Sequence, residues 1–125
     1  MPNKNTPFQT QADFCKVLSH PTRLAILSIL RDSEQCVCHL EAMLHLRQAN
    51  ISQHLMTLRE AGLVMDRRDG WNIYYRIIRP EVFNILDDLI PITGQPLPIP
   101  HVHADGNCPC PKCDGENAQP TCSNA

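Results

Sequence analysis

Between residues 48 and 77 the apolar side chains change their spacing once, from a helical period to a strand period, and the change falls at a glycine. Ile51, Leu55 and Leu58 recur at intervals of four and three, which places them on one face of a helix over residues 48–61. Gly62 then suits a C-terminal cap, where the chain commonly takes a left-handed backbone that glycine adopts without steric cost. Beyond it, residues 63–68 and 71–77 flank Asp69-Gly70, a pair that reads as a type I′ hairpin turn. The alternation points Ile73, Tyr75 and Ile77 to the core and leaves Asn72, Tyr74 and Arg76 on the other face.

Three further helices precede this unit. Thr6-Pro7-Phe8-Gln9 has the form of a helix start, a capping threonine followed by proline at the first helical position, and the helix runs to about Leu18. His20-Pro21 breaks it, and Pro21 begins a second helix whose Leu24, Leu27, Ile29 and Leu30 make the centre of the core. Asp32-Ser33 closes that helix and can cap a short third one over residues 37–44, with Leu40 and Leu44 facing inward. The third helix and the helix over 48–61 make a helix-turn-helix, and the hairpin makes a wing. Pro80 opens a last helix with Val82, Phe83, Leu86, Leu89 and Ile90 apolar, ending at Pro91. The expected fold is mainly α with a small β-hairpin, a winged helix-turn-helix over residues 1–91. Residues 92–125 form a tail rich in proline and cysteine, and with almost no large apolar residue after Val102 it cannot bury a core.

A chain of 125 residues with such a tail leaves a core of roughly 80 to 90 residues, small enough that pairing with a second copy would add stability. A homodimer is therefore expected. The net charge of −2 hides an asymmetry: from Arg47 to Arg79 six arginines stand against three acids, leaving +3, while the remainder carries −5. The local field is what a nucleic acid would meet. The polar N-terminus lacks the apolar stretch of a signal peptide and no run approaches a membrane span, so a cytoplasmic location without a membrane partner is expected. In a reducing compartment seven cysteines, an odd number, fit metal or redox chemistry better than disulfides. No paired acid and base and no activated nucleophile points to an enzyme.

Cys36-Val37-Cys38 puts two thiols at the start of the third helix. A regular helix turns about 100° per residue, so their side chains would diverge by about 200°. Sharing one ion requires that the helix begin between them or deform. At a helix start the positive end of the macrodipole favours thiolate, and soft thiolates select soft ions over magnesium or calcium. The alternative is that both are small buried residues. Cys15 is either core, beside Phe14 and Leu18, or a third sulfur from the same or a partner subunit. Cys108, Cys110 and Cys113 could close around one ion as a local clamp, with His101, His103 and Cys122 as further donors. For DNA, Gln48, Asn50, Ser52, Gln53 and His54 occupy the first two turns of the groove-reading helix, although His54 could equally be packed. Arg67, Arg68 and Arg76 around the wing suit phosphate or minor-groove contact.

Five stretches together resemble the ArsR/SmtB family of metal-responsive repressors: residues 18–24 (LSHPTRL), 36–40 (CVCHL), 50–55 (NISQHL), 58–64 (LREAGLV) and 75–77 (YRI). The resemblance covers about residues 8 to 90. In the arsenic and cadmium/lead branches a CVC pair supplies thiolate ligands, which carries over to Cys36 and Cys38. Glu41 stands where some arsenic repressors have a third cysteine, Arg47 where the family often has a capping serine, and Asp87 and Asp88 have no histidine nearby to complete the zinc pattern. The resemblance implies a homodimeric repressor of double-stranded operator DNA, released when arsenite, or next cadmium or lead, ties the cysteines together. A coupling of roughly 1 to 3 kcal/mol would weaken DNA binding about 5- to 150-fold. Two other readings stay open: a thiol redox-sensing repressor, and a metal-buffering module acting through the C-terminal cysteines.

Overall fold

The computed structural model describes residues 6–98; Cys108, Cys110, Cys113 and the other tail donors lie outside them. Along the chain run α1 (Pro7–Leu18), α2 (Pro21–Leu30), β1 (Gln35–Cys36), α3 (Val37–Leu44), α4 (Gln48–Glu60), β2 (Val64–Asp69), β3 (Asn72–Ile77) and α5 (Val82–Thr93). This is the expected winged helix-turn-helix, with one strand that the residue pattern does not announce.

Side chains cap the starts of α1, α2 and α3. Thr6 Oγ1 accepts the N–H of Gln9 at 3.1 Å ahead of Pro7, and His20 Nδ1 accepts that of Thr22 at 3.1 Å ahead of Pro21. The start of α3 corrects the expectation of a cap by Asp32-Ser33. Its cap is Cys36, whose sulfur accepts the N–H of His39 at 3.2 Å. The reason is β1: residues 35 and 36 pair with β3 between Ser33 and the first helical residue Val37, which leaves Ser33 too far away for a side-chain cap. Helix α4 begins at Gln48, and Arg47 in its cap position makes no side-chain cap bond. It ends as expected at Gly62, with φ +78°, where Gly62 N–H bonds Arg59 O and Leu63 N–H bonds Leu58 O, each at 3.0 Å.

The hairpin turn also differs from its expectation. Asp69 pairs with Asn72, so the two turn residues are Gly70 and Trp71. Only Gly70 has positive φ, +61°, which is the pattern of a type II′ turn with glycine first rather than of type I′, where both central residues need it. Helix α5 continues past the expected stop at Pro91 to Thr93. Proline there removes one N–H from the last turn, and the N–H of Gly94 closes the helix on Ile90 O at 2.8 Å.

The sheet order is β1-β3-β2, antiparallel throughout. Beneath it Ile26, Leu27, Leu30, Leu40, Ile51, Leu55, Leu58 and Leu86 are fully buried, each contributing roughly 1.5–3 kcal/mol against the entropy of ordering the chain. Ile73, Tyr75 and Ile77 pack on this core from β3 as expected. Tyr74, expected on an open face, is buried at 4% exposure, because β1 covers that face with Cys36. At the far side Arg31 forks onto both oxygens of Asp87, at 2.7 and 2.8 Å, joining the end of α2 to α5.

Candidate functional site

Cys36 ends β1 in an extended conformation, φ −79° and ψ 157°, and Cys38 lies in the first turn of α3. The helix thus begins between the two cysteines, which removes the divergence that a continuous helix would impose. Their sulfur atoms are in direct contact, with the Cα atoms 5.4 Å apart. Cys36 is fully buried and Cys38 half-buried, packed with Tyr74 and Ala42 in a small apolar cluster beside the main core. A cleft of about 180 Å³ opens at the pair, lined by Cys36, Cys38, Glu41, Gln48, Trp71 and Asn72. Gln48 is the first residue of α4, and Trp71 is the fully exposed tip of the wing.

Two soft sulfurs converging at the positive end of a helix fit a thiophilic ion in donor type and in placement. Cys15 is exposed on α1, and among the described residues no group of three Cys, His, Asp or Glu side chains is assembled that could hold an ion. The structure therefore brings together Cys36 and Cys38, and leaves Cys15 apart from them.

On α4, Gln48, Asn50 and Gln53 are exposed and Ser52 half-buried, so the polar face of the helix is available to a groove. His54 differs from them. Its ring lies against that of His20, centroids 4.3 Å apart and tilted by 44°, and its Nδ1 accepts the Nε–H of Arg23 at 3.2 Å. Arg23 also donates to the carbonyls of Lys16 at 3.3 Å and Val17 at 3.0 Å, so α1, α2 and α4 meet at this junction. Burial first, and then the positive charges that His20 and Arg23 bring, push the His54 imidazole below the ordinary histidine range.

On the wing, Arg68 and Arg76 are exposed. Arg67 is exposed but engaged: it forms an ion pair with Glu34, a longer one with Asp69 at 3.8 Å, and lies over the Tyr74 ring at 4.7 Å. Glu34 and Tyr74 are the residues that reading the sequence missed. Nothing local in the chain signals a glutamate that reaches an arginine 33 positions later. A two-residue strand is likewise too short to leave a periodicity, and it is the strand that buries Tyr74.

Similarity to known proteins agrees with this geometry. The model of the family described as bacterial regulatory protein, arsR family, matches residues 20–66. The arsenic resistance transcriptional regulator ArsR1 of Pseudomonas putida is 47% identical over 76 residues, which are 60% of this chain and 59% of that protein. Its counterpart ArsR2 from the same organism is 40% identical over 87 residues, covering 69% of this chain and 75% of the relative. Among solved structures, the homodimeric winged helix-turn-helix DNA-binding domain of a possible ArsR-family regulator from Mycobacterium bovis superposes with a TM-score of 0.64 at 27% identity, over 82% of this chain and 95% of that one. No helix among the described residues is long and apolar enough to cross a membrane. The chain belongs to the arsR family of bacterial regulatory proteins, a family of transcriptional regulators rather than of enzymes.

Proposed function

We propose that this protein represses transcription by binding double-stranded operator DNA as a homodimer, and is released when a soft thiophilic ion binds Cys36 and Cys38. Arsenite is the first inducer to test, with cadmium and lead next, and the name of the arsenic resistance relative supports that order. The observation that carries the reading is the shared cleft: the walls around the two sulfurs include Gln48, which starts α4, and Trp71 and Asn72, which form the end of the wing. Cys36 and Cys38 would hold the ion as thiolates. Drawn onto it, Cys36 would leave its place as the cap of α3, and α3 packs against α4. Operator contact falls to Gln48, Asn50, Ser52 and Gln53 in the major groove, with Arg68 and Arg76 on phosphate or in the minor groove. His54 acts in this reading through the α2–α4 junction.

The dimer is supported by apolar residues left outside the core: Phe8 on α1 is 88% exposed, and Ile85 and Ile92 on α5 are 42% and 78% exposed. The homodimeric relative from Mycobacterium bovis has the same fold. Cys15, exposed on α1, is then a third sulfur that pairing of subunits could bring to the site. Cys108, Cys110 and Cys113 are kept as a separate clamp for the same class of ion.

A mobility-shift titration of the operator complex with arsenite, cadmium and lead tests the reading, using the wild type and Cys36→Ser. The wild type should release DNA, and the variant should hold it at the same inducer concentrations. A variant that dissociates like the wild type refutes the mechanism.

A second reading is favoured by the contact between the sulfurs and the 5.4 Å Cα separation, which suits a disulfide. Here the two thiols would be oxidised to a disulfide while a peroxide is reduced to water, the two thiol protons passing to oxygen. Release by peroxide without any metal, reversed by a dithiol, distinguishes it.

A further inference from the structure

The thiol pair touches the wing by a second route, which does not pass through α4. In the three-stranded sheet Cys36 pairs with Tyr74, and Tyr74 pairs with Arg67, so the three side chains stand in a row on one face. Cys36 and Tyr74 are the buried members of a cluster separate from the main core, with Cys38 and Ala42 packed against them. The Cys36 side chain therefore packs with Tyr74 in a cluster of its own, apart from the central core. The Tyr74 ring in turn carries the Arg67 guanidinium, 4.7 Å from its centroid. Arg67 is tied back to Glu34, only two residues before Cys36. The result is a closed circuit from the cysteine strand, through an aromatic ring and an arginine of the wing, to a carboxylate at the root of the same strand.

We propose that Tyr74 is a positioning residue that transmits the state of the Cys36–Cys38 pair to the wing, so that an inducer moves the wing as well as the groove-reading helix. The proposal rests on the reading of the two cysteines as the inducer site. Cys36 is fully buried beside Tyr74, so drawing its sulfur onto an ion bears on the β1 backbone and on the ring opposite it. A shift of either alters the seat of Arg67, the first through Glu34 and the second through the ring face. Trp71, the chain's single tryptophan, sits at the end of the hairpin and lines the thiol cleft, so its emission reports on the filling of the cleft and on the wing together.

The test uses the full chain, with arsenite as the probe, in wild type, Tyr74→Leu and Tyr74→Phe. Three quantities are read: arsenite affinity, operator affinity with and without arsenite, and the change in Trp71 emission on arsenite addition. Leucine keeps an apolar side chain against Cys36 but removes the ring beneath Arg67. For Tyr74→Leu, arsenite affinity and arsenite-free operator affinity should stay within about threefold of wild type, while the arsenite-induced loss of operator affinity shrinks by about tenfold and the Trp71 response falls with it. Tyr74→Phe, which keeps the ring, should behave as wild type. Full release from operator by Tyr74→Leu overturns the proposal, whatever the Trp71 response. If Tyr74→Leu does not fold, Glu34→Gln cuts the circuit at its other end, and a wild-type release ratio there overturns it equally. A wild type that binds arsenite through both cysteines yet keeps its grip on DNA overturns the inducer reading itself, and this proposal with it.

Discussion

The Sγ of Cys36 accepts the backbone N–H of His39 at 3.2 Å, so a sulfur offered to an inducer also caps α3. The two roles separate on substitution. Serine is a strong N-cap and should replace the cap while removing the soft donor, whereas alanine removes both. Cys36→Ala is expected to be less stable than Cys36→Ser by about 1 kcal/mol in urea unfolding, with arsenite release lost in both. Equal stability of the two variants would show that the cap contributes nothing.

His54 gives stability a pH dependence of defined sign. Its folded-state pKa lies below the ordinary 6.5, so between the two values the unfolded chain binds more protons than the folded one. The contribution is fully present above the ordinary value and is lost as pH falls through that value toward the depressed one. Protonation also places a proton on the Nδ1 that accepts from Arg23, and adds charge beside His20. Denaturation midpoints from pH 8 to pH 5 should fall more steeply in wild type than in His54→Gln. Parallel curves would mean that the junction does not sense protons.

Two positions with left-handed backbone should respond in opposite directions. His45, at the turn between α3 and α4, has φ +54°, a conformation that strains a residue with a Cβ. His45→Gly should gain roughly 0.5 kcal/mol, the relief of strain exceeding the entropy added to the unfolded chain. Gly62→Ala should lose about 1 kcal/mol although no atom lies within 4 Å of where a Cβ would stand, because the penalty is in the backbone itself. Urea unfolding of the pair measures both signs.

Arg47 holds the capping position of α4 with an extended backbone and no side-chain bond, and places a positive charge at the positive end of the helix. Arg47→Ser should therefore raise stability by about 1 kcal/mol. If Arg47 also meets a phosphate, operator affinity should become less sensitive to salt, by about one unit of slope. Thermal unfolding and a salt series of operator binding separate the two effects.

What the chain discloses of itself follows the range of each interaction. Helices α1 and α2 and the end of α4 were legible because Thr6-Pro7, Pro21 and Gly62 act on their immediate neighbours. The hairpin is legible in the chain, but the Asp-Gly pair places its turn one residue early: the pair does not say whether glycine comes first or second in the turn, and the pairing of Asp69 with Asn72 decides it. Asp32-Ser33 resembles a helix cap and is not one, because β1, which exists only through its pairing with β3, stands between it and α3. Of the candidate site, the convergence of Cys36 and Cys38 was available as one of two geometric options, and the chain took the one in which the helix begins between them. The burial of Tyr74 and the tie from Glu34 to Arg67 are tertiary, so local spacing carries no trace of them. His54 lies three residues after Ile51 and one before Leu55, on the margin of the inward face, where period alone does not choose between groove and core.

The most direct measurement is arsenite stoichiometry and operator release determined on the same samples of wild type and Cys36→Ser. The account predicts that wild type loses DNA as Cys36 and Cys38 become occupied, and that Cys36→Ser neither fills this site nor lets go of DNA. Release of Cys36→Ser at wild-type arsenite concentrations would contradict it.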